Sequence, residues 1–192
     1  GDFDQDITIK DLADDAVALA KATGFEDAHF CGLSIGGMTG QAIGIFHPGM
    51  FKSLALCATT SAIPNEVLPT WEQRISEALT NGMDGLVAPT LGRWLTQETQ
   101  QNQPELVAHV SRMISTTSPK GYAGCSRAIM KLNYTDQLKS ITTPSIIIPG
   151  EFDPALPVSM SEIIAAHLPG SVMKTVPGAA HLCNIENPKD FN

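Results

Sequence analysis

A serine flanked by glycines is the residue in this chain best placed to do chemistry. Ser34 stands at the centre of a G-x-S-x-G pattern, between Gly32 and Gly36. An apolar run at residues 28–33 leads into the pattern, and a helix-compatible segment at residues 38–46 follows it. A strand, a sharp turn and a helix in this order present a serine as a nucleophile. We expect both glycines to make room where strand and helix approach, and the helix amides to face the charge that develops in acyl transfer.

A nucleophilic serine needs a base to take its proton and a third group to orient that base. Two later loops supply candidates. Asp153 follows an apolar run that ends at Gly150, and His181 follows one that ends at Val176. Both loops are expected at the carboxyl edge of the sheet, near Ser34, so the three residues together predict a catalytic triad.

Each of these residues also has a simpler interpretation. Asp153 precedes Pro154 and could form an Asx turn, and His181 could be a histidine bonded within its own loop. Glu151 is a weaker candidate for the acid, and we expect it to be solvated. The remaining histidines lack a position in a loop at a strand end: His29, His47, His109 and His167. Two of them stand at predicted helix ends, which favours a surface or dipole-facing role.

The elements around these residues alternate between helix and strand. A capping box at residues 8–11 opens a helix that stops near Gly24. Apolar runs typical of buried strands follow at residues 52–58, 144–150 and 171–176. Strands joined by helices predict a parallel sheet, so the predicted fold class is α/β.

The segment between the second and third strands has a different character. It shows no strong strand signal, and Pro or Asn-Gly breaks divide it into four predicted helices: residues 66–79, 83–95, 105–116 and 121–132. A helical block inserted between two sheet strands predicts a cap over the sheet. The predicted division is a first part of the sheet core at 1–60, a helical cap at 61–142 and a second part of the core at 143–192.

The composition narrows the class of protein. The chain has 192 residues, 43% hydrophobic and 17% charged, which suits one globular domain with a substantial core. Its formal net charge of -8 argues against nucleic acid or an anionic membrane as the main partner. The four cysteines lack metal-like spacing, and we expect Cys31 and Cys57 to pack as small hydrophobes. Reduced thiols indicate a cytoplasmic protein.

Four stretches of the sequence resemble a known family. They are residues 29–38 around Ser34, residues 121–125 (Gly-Tyr-Ala-Gly-Cys), residues 150–157 around Asp153 and residues 181–188 from His181 onwards. The serine and histidine stretches resemble the α/β-hydrolase superfamily. The Gly-Tyr-Ala-Gly-Cys stretch resembles, more narrowly, the 3-oxoadipate enol-lactonases of the β-ketoadipate pathway. The resemblance runs through most of the chain.

This resemblance implies an α/β-hydrolase fold, a mostly parallel sheet flanked by helices with a helical cap. It also implies hydrolysis of a small enol-lactone to an oxo-dicarboxylate, without a metal or an organic cofactor. Ser34 would attack the lactone carbonyl, His181 would carry the proton, and Asp153 would orient His181. The backbone N–H of Ile35 would be one donor to the oxyanion.

The implied substrate carries a carboxylate, so a local cation must override the acidic charge of the chain. Arg93, beside Trp94 in the predicted cap, is our candidate for binding that carboxylate. Arg127, near the Gly-Tyr-Ala-Gly-Cys stretch, is the competitor. Either could instead be an exposed helical arginine.

Several alternatives stay open. Another small-ester hydrolase or a cofactor-free haloperoxidase-like enzyme would share the fold, because the cap decides the pocket. A binding protein of the same fold would keep the triad but turn over poorly, and an inactive fragment is a further possibility. The serine at position 34, where a haloalkane dehalogenase carries aspartate, disfavours that enzyme class.

The family pattern begins with strands and a His-Gly-type loop that have no counterpart in this sequence. In the family that loop supplies a second oxyanion N–H, and those strands pair with the strand before Ser34. An unpaired apolar edge would favour aggregation. We therefore expect a second polypeptide, or a segment of a longer or cleaved chain, to complete the fold.

Overall fold

The computed structural model describes residues 6–25 and 27–192. Within these ranges the chain forms four short strands and ten α-helices. In chain order they are α1 (Ile9–Thr23), β1 (Phe30–Leu33), α2 (Ile35–Phe46), β2 (Leu54–Cys57), α3 (Leu68–Asn81), α4 (Asp84–Trp94), α5 (Gln97–Asn102), α6 (Pro104–Ser115), α7 (Pro119–Met130), β3 (Ser145–Ile148), α8 (Val158–His167), β4 (Val172–Met173), α9 (Cys183–Glu186) and α10 (Pro188–Phe191). No helix in the two ranges is long and apolar enough to cross a membrane.

The four strands form one parallel sheet in the order β1-β2-β3-β4. In its register Gly32 lies opposite Leu56, and Leu56 lies opposite Ile147. Parallel neighbours need crossover connections, and the helices between the strands supply them. The predicted α/β class with a parallel sheet is therefore confirmed, and every strand brings its carboxyl end to the same edge.

Helices α1 and α2 pack together beside the sheet. The predicted capping box starts α1: the Asp11 N–H donates to Thr8 Oγ1 at 3.2 Å, and the Thr8 N–H donates to Asp11 Oδ2 at 2.7 Å. Met38 and Ile43 of α2 share one buried apolar cluster with Leu56 of the sheet. Full burial of such a side chain stabilises a fold by about 1.5–3 kcal/mol, so this packing holds the start of α2 against the end of β1.

Five helices, α3 to α7, lie between β2 and β3 and form the cap. They have a buried apolar cluster of their own, which includes Leu86, Val110 and Ile114. The four predicted cap helices correspond to α3, α4, α6 and α7. Helix α5 is absent from the prediction because its sequence, Gln-Glu-Thr-Gln-Gln-Asn, has no apolar period. Thr96 starts it instead, through Oγ1, which accepts from the Thr99 N–H at 3.2 Å.

Strand β4 is shorter than the predicted strand at residues 171–176. Only Val172 and Met173 pair with β3 as a strand. Lys174 and Thr175 are exposed and interrupt the apolar run. The chain still follows β3, because the Val176 N–H donates to Pro149 O at 2.9 Å, and it therefore reaches the carboxyl edge of the sheet.

Strand β1 is the outermost strand of the sheet that the described residues form, and Cys31 on it is exposed. The expectation that Cys31 packs as a buried hydrophobe is therefore wrong. The same expectation is confirmed for Cys57, which is buried on the inner strand β2. An apolar run indicates a strand of the sheet, but it does not say whether that strand has a neighbour on both sides.

The expectation that a second polypeptide or a further segment completes the fold stays a prediction. The outer edge of β1 allows a test of it. The N–H groups of Phe30 and Ser34 donate to carbonyl groups on the β2 side, both at 2.9 Å. Because the N–H groups of successive residues in a strand point to opposite sides, the Cys31 N–H points away from β2, towards the outer edge of the sheet. If another strand pairs there, the Cys31 amide hydrogen should exchange as slowly as that of Leu56 in β2. Rapid exchange at Cys31 in an active sample, measured by NMR, would contradict this expectation.

Candidate active site

Ser34 occupies the turn between β1 and α2 in a backbone conformation that ordinary residues avoid. Its φ of 57° and ψ of -116° belong to a sparsely populated region that costs on the order of 1–3 kcal/mol. The Ser34 N–H donates to Cys57 O at 2.9 Å, and the Thr59 hydroxyl donates to Ser34 O at 2.9 Å. The end of β2 and the residues that follow it therefore hold the turn in its strained form.

The glycines near Ser34 differ in what they do. A Cβ on Gly32 would lie 2.1 Å from the Gly36 carbonyl oxygen, and a Cβ on Gly37 would lie 2.6 Å from the Thr59 Cβ. Both distances are too short for a real contact, so both positions require glycine. A Cβ on Gly36 would meet nothing within 4 Å among the described residues. The expectation of a space-making role is therefore correct for Gly32 and wrong for Gly36, which contributes its backbone carbonyl to the close approach.

His181 and Asp153 form a buried pair. Nδ1 of His181 donates to Asp153 Oδ2 at 2.7 Å, and the two side chains are only 3% and 0% exposed. Asp153 Oδ1 accepts from the N–H groups of Ala155 at 2.8 Å and Leu156 at 3.0 Å. These bonds compensate the carboxylate for its burial. With Nδ1 engaged, Nε2 is the nitrogen of His181 that is left to accept a proton.

Glu151, the weaker candidate for the acid, lies apart from this pair. It is exposed, and its Oε2 accepts from the Gly178 N–H at 2.8 Å. Beside it, a Cβ on Gly150 would lie 2.0 Å from Ala180 O. Glycine at position 150 therefore allows the loop of Asp153 to approach the loop of His181.

A cavity of about 540 Å³ opens between the sheet edge and the cap. Ser34, Ile35 and His181 line it from the sheet side. Its volume suits a small organic molecule. Much of the remaining lining is apolar and includes Met38, Ile63, Trp71, Ile129, Leu156 and Met160. The fold thus brings the predicted nucleophile and base to one cavity, with Asp153 bonded to the base.

Helix α2 starts at this cavity, directly after Ser34. The first N–H groups of a helix have no acceptor within it, and here the Met38 N–H donates back to Ser34 O at 3.1 Å. Ile35 is the first residue of α2 and lines the cavity. Its N–H lies at the positive end of the helix dipole, where it can donate to an anion.

Two arginines of the cap also line the cavity, and none of the described lining residues is acidic. Arg93 on α4 donates from Nη2 to the Thr90 hydroxyl at 3.0 Å. The Arg74 guanidinium on α3 lies 5.5 Å from the centre of the Trp71 ring. Burial, and next the charge of Arg74, lower the pKa of Arg93. The cavity is therefore electropositive in a chain with a net charge of -8.

The structure separates the two arginines that the sequence singles out. Arg93 and its neighbour Trp94 line the cavity, and the Trp94 ring centre lies 6.1 Å from that of His181. Arg127 is exposed in a groove between α3 and α7. It follows Cys125, a cavity residue, by two positions, and two positions along a helix turn the side chain by about 200°. Arg127 therefore faces away from the site, and Arg74 is the second cavity arginine.

Cys125 is another nucleophilic side chain at the cavity. Burial raises the pKa of its thiol, so the reactive thiolate is scarce near neutral pH. Both side chains share the cavity with His181, but Ser34 stands in a strained turn at the start of α2, whereas Cys125 lies within α7, which makes Ser34 the stronger candidate nucleophile. In residues 6–25 and 27–192, no three His, Cys, Asp or Glu side chains come together in a group that could hold a metal ion.

Sequence comparisons agree with this architecture. A family model described as alpha/beta hydrolase fold matches residues 3–188. The 3-oxoadipate enol-lactonase 1 of Acinetobacter baylyi is 30% identical over 190 residues, which cover 99% of this chain and 70% of that protein. A pimeloyl-acyl-carrier-protein methyl ester esterase of Chromobacterium violaceum is 28% identical over 183 residues, which cover 92% of this chain and 72% of that protein.

A solved structure agrees as well. The crystal structure of the enol-lactonase from Burkholderia xenovorans LB400 matches with a TM-score of 0.91 at 31% identity. The match covers 96% of this chain and 70% of that one. The resemblance drawn from the four stretches around Ser34, in the cap, around Asp153 and from His181 onwards is thereby confirmed.

Proposed function

The chain belongs to the α/β-hydrolase family, and we propose that it hydrolyses a small enol-lactone, with 3-oxoadipate enol-lactone as the substrate best supported. Ser34, His181 and Asp153 are the proposed nucleophile, base and orienting acid. The observation that carries the proposal is the buried His181–Asp153 pair, bonded at 2.7 Å, in which His181 lines the same cavity as Ser34. Enol-lactonase relatives at 30% and 31% identity support the choice of substrate.

In the proposed first half-reaction, Ser34 Oγ attacks the lactone carbonyl carbon while His181 Nε2 takes the hydroxyl proton. The carbonyl oxygen becomes an oxyanion that accepts from the Ile35 N–H, and one such donor typically lowers the barrier by about 3–4 kcal/mol. Collapse of the intermediate breaks the ring C–O bond. His181 then passes its proton to the leaving enol oxygen, which stays tethered to the acyl group.

In the second half-reaction, a water molecule attacks the acyl carbon and His181 takes its proton. The bond to Ser34 Oγ breaks, and the serine recovers a proton from His181. The product leaves with a new carboxylate and an enol that tautomerises to a ketone, which gives an oxo-dicarboxylate. Throughout, Asp153 keeps the imidazole in one orientation and stabilises its cationic form.

We propose that Arg93 binds the free carboxylate of the lactone and that Trp94 packs against its ring. Two observations support this role for Arg93: it lines the cavity without an acidic neighbour in the lining, and Trp94 lies beside His181. Arg74 adds positive charge to the same cavity. A planar guanidinium suits a carboxylate because it can donate two parallel hydrogen bonds.

The Arg93→Ala variant should raise the KM for the lactone by about 10- to 100-fold, which corresponds to the loss of a charged hydrogen bond. The KM for a neutral methyl ester of similar size should stay unchanged. Ultraviolet-monitored hydrolysis of both substrates measures the difference. Arg127→Ala is the matched control, because it removes an exposed arginine that faces away from the cavity, and it should leave both KM values unchanged.

An equal rise for the lactone and the neutral ester would contradict the carboxylate role of Arg93. A higher kcat/KM for neutral esters than for the lactone in the unmodified protein would instead favour a general small-ester hydrolase. Stable acylation of Ser34 with negligible turnover would favour a binding protein of the same fold.

A further inference from the structure

Glu186, at the end of α9, joins two segments that lie far apart in the chain. Its Oε2 accepts from the N–H of Ala180, the residue directly before His181, at 2.7 Å. Its Oε1 accepts from the Thr96 N–H at 2.8 Å and lies 2.9 Å from the Thr96 hydroxyl. Thr96 begins α5 of the cap and follows Arg93 and Trp94 by only a few residues. One carboxylate therefore binds the loop of the proposed base and the cap segment behind the proposed substrate site.

A second set of contacts joins the same two segments. The N–H of Leu182, the residue directly after His181, donates to Trp94 O at 3.0 Å. Leu182 and Ile185 also pack against the apolar cluster of the cap. The backbone is thus held on both sides of His181, by Glu186 before it and by Trp94 after it. Asp153 holds only the imidazole, so the position of the ring also depends on these backbone contacts.

We propose that Glu186 is a positioning residue: it sets the place of His181 relative to Ser34 and to the cap residues Arg93 and Trp94. This inference rests on the proposed function, because it assigns the purpose of Glu186 to the activation of Ser34. The carboxylate suits the task because each of its oxygens can accept from a backbone N–H on a different segment. Neither segment can move without stretching a charge-assisted hydrogen bond.

The Glu186→Gln variant removes one of these links at almost constant volume. The glutamine oxygen can accept from the backbone N–H of either Thr96 or Ala180. The glutamine NH₂ group then faces the other backbone N–H, and because both groups are donors they cannot form a hydrogen bond. Glu186→Asp provides a second variant, which keeps the charge but is one methylene too short to reach both segments. The matched control is Glu151→Gln. It neutralises a carboxylate that accepts from one backbone N–H, that of Gly178 in the same loop; the glutamine oxygen can still accept there, and the cap is not touched.

Labelling with a fluorophosphonate tests the inference without depending on the identity of the substrate. Ser34 Oγ forms a bond to phosphorus, the P–F bond breaks to release fluoride, and His181 takes the hydroxyl proton. Two quantities are measured in each protein: the rate constant of labelling and the final number of labels per molecule. The final number follows the folded fraction, whereas the rate constant follows the alignment of Ser34 and His181.

We expect Glu186→Gln and Glu186→Asp to lower the labelling rate constant by about tenfold or more, since a displacement near 1 Å can cost about 100-fold. The final labelling should stay near that of the unmodified protein, and Glu151→Gln should keep the unmodified rate constant. An unchanged rate constant in the Glu186 variants, or an equal loss in Glu151→Gln, would overturn the positioning role alone. Failure of the unmodified protein to label would overturn the proposed function, and this inference with it.

Discussion

The Ser34→Ala variant is expected to lower the kcat of lactone hydrolysis by about 10⁶-fold, the loss typical of a triad without its nucleophile. The reason is chemical rather than structural. Without Oγ no acyl-enzyme forms, and only binding and the oxyanion donor remain to assist attack by water. The loss of ultraviolet absorbance of the lactone at saturating concentration measures kcat directly.

Ser126→Ala provides the matched control for this variant. Ser126 is a buried serine that lines the same cavity, but it lies inside helix α7 and not in a strained turn at the start of a helix, as Ser34 does. Its replacement should leave kcat nearly unchanged. The Ser34→Ala variant should keep only the acceleration over water, about 10³- to 10⁴-fold, that binding and the oxyanion donor supply. If its kcat falls by less than about tenfold, another group is the nucleophile.

The Asp153→Asn variant should lower kcat by about 10⁴-fold while the protein stays folded. The structure predicts which way the new amide would point. Asp153 Oδ1 accepts from the N–H groups of Ala155 and Leu156, so the asparagine oxygen has to stay there. The NH₂ group would then face Nδ1 of His181, where a carboxylate oxygen accepts now.

Facing a donor, Nδ1 of His181 must become an acceptor, and its proton moves to Nε2. A protonated Nε2 cannot take the proton of Ser34, so the base is lost although the ring keeps its place. Glu151→Gln is the control, since it neutralises a carboxylate in the same loop that bonds to Gly178 and not to His181. If Asp153→Asn retained kcat to within about tenfold, the assignment of Asp153 as the orienting acid would be wrong.

Much of the framework could be predicted from the sequence because its local signals favour the same helices, strands and turns that the fold contains. The capping box at Thr8 and Asp11, the apolar strands and the Pro and Gly breaks each specify local structure without knowledge of distant contacts. Parallel strands then place their carboxyl ends together, so the turn and loops of Ser34, Asp153 and His181 meet at one edge. The order of these residues along the chain was therefore informative about the site.

Other features depend on contacts that the sequence does not display. Arg127 is close in sequence to a cavity residue but faces the opposite side of α7, whereas Arg74 reaches the cavity from a different helix. The exposure of Cys31 depends on the position of β1 in the sheet. The link from Glu186 to Thr96 joins segments 90 residues apart, and nothing in either segment alone signals it.

Every step of the proposed reaction depends on the identity of the nucleophile. It is tested most directly by treating the protein with a fluorophosphonate and mapping the adduct by mass spectrometry after proteolysis. We predict one phosphonyl group per molecule, on the peptide that contains Ser34, and none in the Ser34→Ala variant. An adduct on another residue such as Cys125 would contradict this prediction. So would lactone hydrolysis that continues in the fully labelled protein or that is unchanged in the Ser34→Ala variant.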